Sequence, residues 1–216
     1  MKISFSFFLP AIVLTTAGFL FPFCLAAQSA TVTRPLASFD KIGISGAYEV
    51  VFLKQGDAES VSLDVSGTDP AIIETEVKNG TLHIRTKKGN YSNLKAKITV
   101  TYRSLKSVAN SGSSDIETLS PIKAEEFEFA SSGSGDFKAE LDVKDLDIAI
   151  SGRSDLTLRG NADTQDIAIS GSGDVNATAL KGSKADVAIS GSGDVKLGVS
   201  GKIKTAVSGS GSVTNN

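Results

Sequence analysis

Five aspartates stand behind the same small-residue phrase, and they are the first candidates for chemistry. Asp115, Asp136, Asp155, Asp174 and Asp194 each close a run of serines and glycines, and Ser212 ends the series. "AISGSGDV" occurs at 168–175 and again at 188–195. Variants are "ANSGSSDI" (109–116), "ASSGSGDF" (130–137), "AISGRSDL" (149–156) and "AVSGSGSV" (206–213). If the phrases stack, neighbouring carboxylates start ~4.8 Å apart. They then repel by ~0.9 kcal/mol in water and ~3.5 kcal/mol at an effective dielectric of 20. Two arrangements relieve this. Each Asp can accept a hydrogen bond from the backbone of its own turn, as in an Asx turn. Alternatively, the column Asp136, Asp155, Asp174 and Asp194 can hold a weakly bound cation, since oxygen-rich columns suit Ca²⁺. The turn role is the expectation and the cation column the alternative. Arg153 and Ser154 replace Ser and Gly in the middle phrase. A basic residue among Asp136, Asp155 and Asp174 is what a cation-assisted polysaccharide lyase needs, but drift at an exposed turn is the expectation. Asp115, Arg153 and Asp155 are separately the candidate partner contacts.

Other chemistry fails on residue type or spacing. The chain has no GxxxxGK and no GxGxxG, because Asn176 and Lys196 stand where a third glycine is needed, and it has no GxSxG elbow. Two SxxK strings, at 38–41 and 92–95, lack supporting motifs. His83 is the single histidine, flanked by Leu82 and Ile84, and reads as an outward strand residue. With one His and one Cys (Cys24), the usual zinc sets are out of reach. No cofactor is expected.

The elements that position the aspartates follow from the spacing. The first glycines of the phrases are Gly112, Gly133, Gly152, Gly171, Gly191 and Gly209. They recur about every 20 residues, and a near-constant period is the mark of a repeat architecture. "DIAIS" and "DVAIS" before the turn alternate polar and apolar residues, and "DFKAELDV" and "DLTL" after it do the same. That alternation predicts half-buried strands. A unit of two short strands buries its apolar face only by stacking on its neighbours. The expected fold is all-β: a right-handed parallel β-helix or β-solenoid of about six ~20-residue rungs. An antiparallel sandwich fits the turns but does not require the period. Turn glycines Gly112, Gly133, Gly135, Gly152, Gly171, Gly173, Gly191, Gly193, Gly209 and Gly211 are expected to supply positive φ at tight corners.

Residues 38–104 read as an N-terminal β part covering one end of the solenoid, and residues 105–216 as the repeat part. Within the first, "DPAIIETEVKNG" (69–80) predicts one short helix, with Asp69 as N-cap, Pro70 at the first position and Gly80 as stop. Residues 1–27 carry one basic residue, a long apolar run and a small-residue site, the layout of a cleaved signal peptide, with 28–37 as linker. Export through the secretory pathway follows, to periplasm, cell surface or medium. Of 22 basic and 24 acidic residues, only Lys2 lies in the signal. The exported chain is mildly acidic, without a basic patch for nucleic acid. No later apolar run reaches the length of roughly 18 residues that a membrane helix needs.

"FDKIGISGAYEVVF", "VKNGTLHIRTKKG" and the serial "SGSGD" turns together resemble the head GIN domain of bacterial autotransporter adhesins, over roughly residues 38–212. The chain reads Gly46-Ala47-Tyr48 where that family often has Gly-Ile-Asn. The resemblance implies a β-helical fold, an adhesion role and no established catalytic residues. The expected function is therefore a non-enzymatic surface-interaction module. Its partner is a glycan or cell-surface component, and homo-oligomerisation is an open option. The alternatives are a pectin-lyase-like enzyme and a cation-dependent glycan-binding protein.

Overall fold

The structure, a computed structural model, describes residues 30–91 and 93–216. The expected signal peptide lies outside the described residues. In chain order the strands are β1 (Ala30–Pro35), β2 (Lys41–Ser45), β3 (Val50–Gln55), β4 (Ser60–Ser66) and β5 (Ile73–Lys78). Then come β6 (Thr81–Thr86), β7 (Lys95–Tyr102), β8 (Ser107–Asn110), β9 (Ile116–Thr118) and β10 (Ile122–Ser131). The last are β11 (Phe137–Ile150), β12 (Leu156–Ile169), β13 (Val175–Ile189), β14 (Val195–Val207) and β15 (Val213–Asn215). They form a β-solenoid in which the chain runs along one wall, bends at a glycine turn and runs along a second wall. The wall before the turn is ordered β5-β6-β2-β8-β10-β11-β12-β13-β14, and the wall after it β1-β4-β7-β3-β9-β11-β12-β13-β14-β15.

Period-two alternation explains the strands. Along β11, Phe137, Ala139, Leu141, Val143, Leu146, Ile148 and Ile150 are buried, and most residues between them face water. Parallel register stacks like on like, so Ile116, Phe137, Leu156, Val175 and Val195 form one core column. Phe129 and Phe137 stack at 4.1 Å between ring centroids, with planes 3° apart. Gln165 is the polar exception deep inside. Its amide nitrogen lies 3.5 Å from the carbonyls of Ala162 and Leu180.

The N-terminal part both extends the stack and closes it. β2 and β3 form a rung against β8 and β9, in parallel register. β6 and β7 stack on the outer side of β2 and β3, although they come later in sequence. β5, β4 and β1 then pair antiparallel and end the stack. The segment read as linker thus contributes β1. Its Arg34 crosses to the opposite wall, donating to the carbonyls of Ile73 (2.7 Å) and Pro70 (3.1 Å) and to Thr75 Oγ1 (3.0 Å). Covering the end this way shields strand edges that would otherwise recruit another chain.

The helix expected over 69–80 is a correction. Asp69 does cap, accepting from the Ala71 N–H at 2.8 Å, but only a 3-10 turn, Pro70–Ile72, follows. Ile73, Thr75 and Val77 alternate as a strand and pair with β6. Asn79 (φ 51°) and Gly80 (φ 75°) form the left-handed pair of a two-residue hairpin. The Asn-Gly dipeptide marked a hairpin, not a helix stop.

Candidate functional site: the glycine-turn edge

The repeated phrases line one edge of the solenoid, where the two walls meet. The first glycines form a continuous column, and their role differs from the one expected. Among them only Gly209 (φ 149°) has positive φ; Gly112, Gly133, Gly152, Gly171 and Gly191 do not. What each requires is space. A Cβ on Gly133, Gly152, Gly171 or Gly191 would lie 1.9–2.0 Å from the carbonyl oxygen of the preceding glycine in the column. That carbonyl accepts the N–H of the residue after the next glycine, as in Ser172 N–H to Gly152 O at 3.1 Å. Glycine is needed here because two backbones approach closely. Gly46 belongs to the same column: a Cβ on Gly112 would lie 1.8 Å from its oxygen. The Tyr48 ring covers Gly46 and so ends the column.

A second column sits two residues on: Ser114, Gly135, Ser154, Gly173, Gly193 and Gly211. Of its glycines only Gly135 (φ 127°) has positive φ, so Gly173, Gly193 and Gly211 also depart from the expected role. A Cβ at Gly173, Gly193 or Gly211 would lie 2.2–2.3 Å from the carbonyl oxygen of Ser154, Gly173 or Gly193, and 2.9–3.2 Å from Cγ2 of Ile150, Ile169 or Ile189 in the preceding rung. Ser154 has Ser131 in the preceding rung where its neighbours have isoleucine, and the two buried hydroxyls pair at 2.6 Å. Ser114, equally buried, is held by Asn110, Gly46 and Tyr48. The departure from pattern at Ser154 is therefore internal packing. Arg153, by contrast, points to solvent and takes part in no ion pair among the described residues.

The aspartates link rungs. The carboxylates of Asp115, Asp155, Asp174 and Asp194 each accept a hydrogen bond from the next rung, not from their own turns. The Asp136 N–H donates to Asp115 Oδ1 (3.0 Å), Asp174 to Asp155 (3.0 Å), Asp194 to Asp174 (2.8 Å) and Ser212 to Asp194 (2.9 Å). Asp carbonyls meanwhile accept from the preceding rung, as in Phe137 N–H to Asp155 O at 2.9 Å. The expected Asx turn is corrected to a ladder, because parallel stacking brings the N–H of the following rung within reach. Asp136 also meets Lys138 Nζ at 3.9 Å. Ser212 donates its hydroxyl to Asp194 at 2.7 Å, and this bond, with the backbone one, holds that carboxyl below the usual range. Among the described residues no three His, Cys, Asp or Glu side chains gather as a metal cage. His83 lies half-buried across the strand pair from Gly43.

Outside this frame the edge presents two parallel columns to solvent. One holds Ser113, Ser134, Arg153, Ser172, Ser192 and Ser210; the other holds the aspartates and Ser212. The hydroxyls of Ser113 and Ser134 lie 3.2 Å apart and share a hydrogen bond along their column. Such an edge offers regular donors and acceptors but no nucleophile–base pair.

Residues 38–216 match the model of a family described as "Putative auto-transporter adhesin, head GIN domain". Among solved structures, the chain resembles a putative adhesin from Bacteroides fragilis NCTC 9343, with TM-score 0.71 and 21% identity over 88% of this chain and 98% of that one. A putative adhesin from Parabacteroides distasonis ATCC 8503 gives TM-score 0.61 and 16% identity over 88% and 98%. A putative lipid binding protein from the same organism gives 0.57 and 19% over 87% and 96%. At these identities the likeness is one of fold. No curated protein matches the chain.

Proposed function

The chain belongs to the head GIN family of putative auto-transporter adhesins, and we propose that it is an exported, non-enzymatic adhesion module whose contact surface is the glycine-turn edge. The observation that carries this is the pair of exposed columns, hydroxyl and carboxylate, held at constant pitch by backbone bonds. Identical weak contacts at a fixed spacing add along an extended partner. Sugar hydroxyls can both donate to the carboxylates and accept from the serines, so a glycan or a glycan-bearing surface is the partner that fits.

Export rests on the signal-like segment 1–27. The lyase alternative is disfavoured because Arg153 makes no ion pair among the described residues and the Asp155 and Asp174 carboxylates are engaged by backbone N–H groups.

The test is binding of the exported chain to a glycan array, comparing the parent with an Arg153→Ala/Ser172→Lys variant of equal melting temperature. Loss of signal by tenfold or more supports the edge. Undiminished binding, or cleavage of any array polysaccharide, overturns it.

A further inference from the structure

The outer face of the wall before the turn carries a second pattern, independent of the turn edge. Its exposed positions stack in three columns along β10 to β14. The first reads Glu126, Asp145, Thr164, Lys184, Lys202, and the second Glu128, Asp147, Asp166, Asp186, Lys204. The third reads Ala130, Ala149, Ala168, Ala188, Ala206. The alanines floor a shallow groove of about 670 Å³ bounded by the second column. Alanine is disfavoured at open strand positions, and here its small side chain leaves room for another sheet to lie close.

The charges are antisymmetric along the solenoid. The first column runs acid, acid, neutral, base, base. Glu126, Asp145, Lys184 and Lys202 are exposed, and among the described residues none of the four takes part in an ion pair. We infer that this face is the interface of a homodimer, with the alanine floors packed together and the solenoid axes antiparallel. A two-fold axis lying in the face, parallel to the strands and level with Ala168, reverses the rung order and leaves position along the strand unchanged. It sets Glu126 against Lys202 of a second copy, Asp145 against its Lys184, and Glu128 against its Lys204, each twice. Alanine meets alanine throughout. This is the self-complementarity that an isologous interface demands.

Asp147, Asp166 and Asp186 meet like charges across the axis, which limits affinity and leaves the outer column to set the orientation. The axis direction has a geometric result: both turn edges end on the same side of the dimer. If the edge is the contact surface, the dimer is bivalent toward one partner surface; the dimer itself does not depend on that reading.

Sedimentation equilibrium of the exported chain between micromolar and millimolar concentration tests the inference. The expected result is a dimer that Ala168→Arg converts to monomer without lowering the melting temperature. Glu126→Lys/Asp145→Lys and Lys184→Glu/Lys202→Glu are each expected to be monomeric alone, because like charges then face each other twice. Their equimolar mixture is expected to restore the dimer, since every facing pair of the first column is opposite again. A parent chain monomeric throughout, a dimer indifferent to Ala168→Arg, or a mixture no more associated than its components overturns the inference.

Discussion

Replacing Gly171 by alanine separates two reasons for glycine in a tight corner. The new Cβ would lie 2.0 Å from Gly152 O and 3.0 Å from Gly152 C. Ordinary contact begins at 3.4 Å, so the local gap between rungs must open by a large fraction of the ~4.8 Å spacing. Two backbone bonds cross that gap, Ser172 N–H to Gly152 O at 3.1 Å and Ser170 N–H to Ile150 O at 2.7 Å. Weakening both costs about 1 kcal/mol each, and overpacking adds about 1–3 kcal/mol. The expected loss is roughly 3–5 kcal/mol, a large share of a typical domain stability of about 5–15 kcal/mol. In a domain of this size that lowers the melting temperature by about 6–20 °C. Urea and thermal unfolding provide the assay, with Ser172→Ala as a surface control within about 0.5 kcal/mol. Gly171→Asn supplies the discrimination, because asparagine tolerates left-handed backbone better than alanine does. If close approach is the reason, Asn is no better than Ala. An alanine variant as stable as the surface control, or a clear rescue by asparagine, refutes the reasoning.

The buried hydroxyl pair gives a double-mutant cycle. Ser154→Gly alone strands the Ser131 hydroxyl, and Ser131→Ile alone drives a methyl group into Ser154; each is expected to cost about 1–3 kcal/mol. The double variant rebuilds the neighbouring rungs' pattern and is expected near the parent, so additive losses in chemical denaturation would argue against the pairing. The charged columns predict opposite pH responses. Asp194, lowered by its Ser212 hydroxyl and backbone bonds, adds stability above the unfolded-state carboxylate pKa of about 4. That stability disappears as pH falls through the lower folded value, so Asp194→Ala is expected to lose less on acidification than the parent. Asp147 is raised by burial first and then by Asp166, Glu128, Asp145 and Glu126. It therefore opposes folding once pH exceeds about 4. Asp147→Asn is expected to melt higher than the parent at pH 7 and equally at pH 3; no gain at pH 7 would count against the crowding.

The solenoid was legible because its signal is periodic: "DIAIS" and "DVAIS" state a strand by alternation and a stack by recurrence. Gly46 was not seen as part of the column, since strands β3 to β8 lie between it and Gly112 in sequence and break the period. Spacing also could not say why the glycines are glycines. Positive φ and close approach leave the same letter, and only the 1.9–2.0 Å gaps distinguish them. The Asp ladder was missed for a related reason: an Asx turn is local, whereas the real N–H donor lies about 19 residues away. At 69–80, capping residues outweighed the Ile73, Thr75, Val77 alternation, which β6 then used. The three columns of the outer face were present as single letters in each repeat, but their charge reversal emerges only when the register is known.

The order of stacking bears on how such a chain is made and how it changes length. β2 and β3 are synthesised before either of their neighbours, yet they end between them, with β6 and β7 on one side and β8 and β9 on the other. They are the point from which the stack extends in two directions. Toward the N-terminal end it closes after a few strands under Arg34. Toward the other it continues as like modules, each in parallel register with the last. A duplicated module between Gly112 and Gly209 would lengthen the particle by ~4.8 Å and leave the central strands and their closure untouched. Reach is thus an adjustable property of this architecture, set by counting modules and independent of how the structure begins.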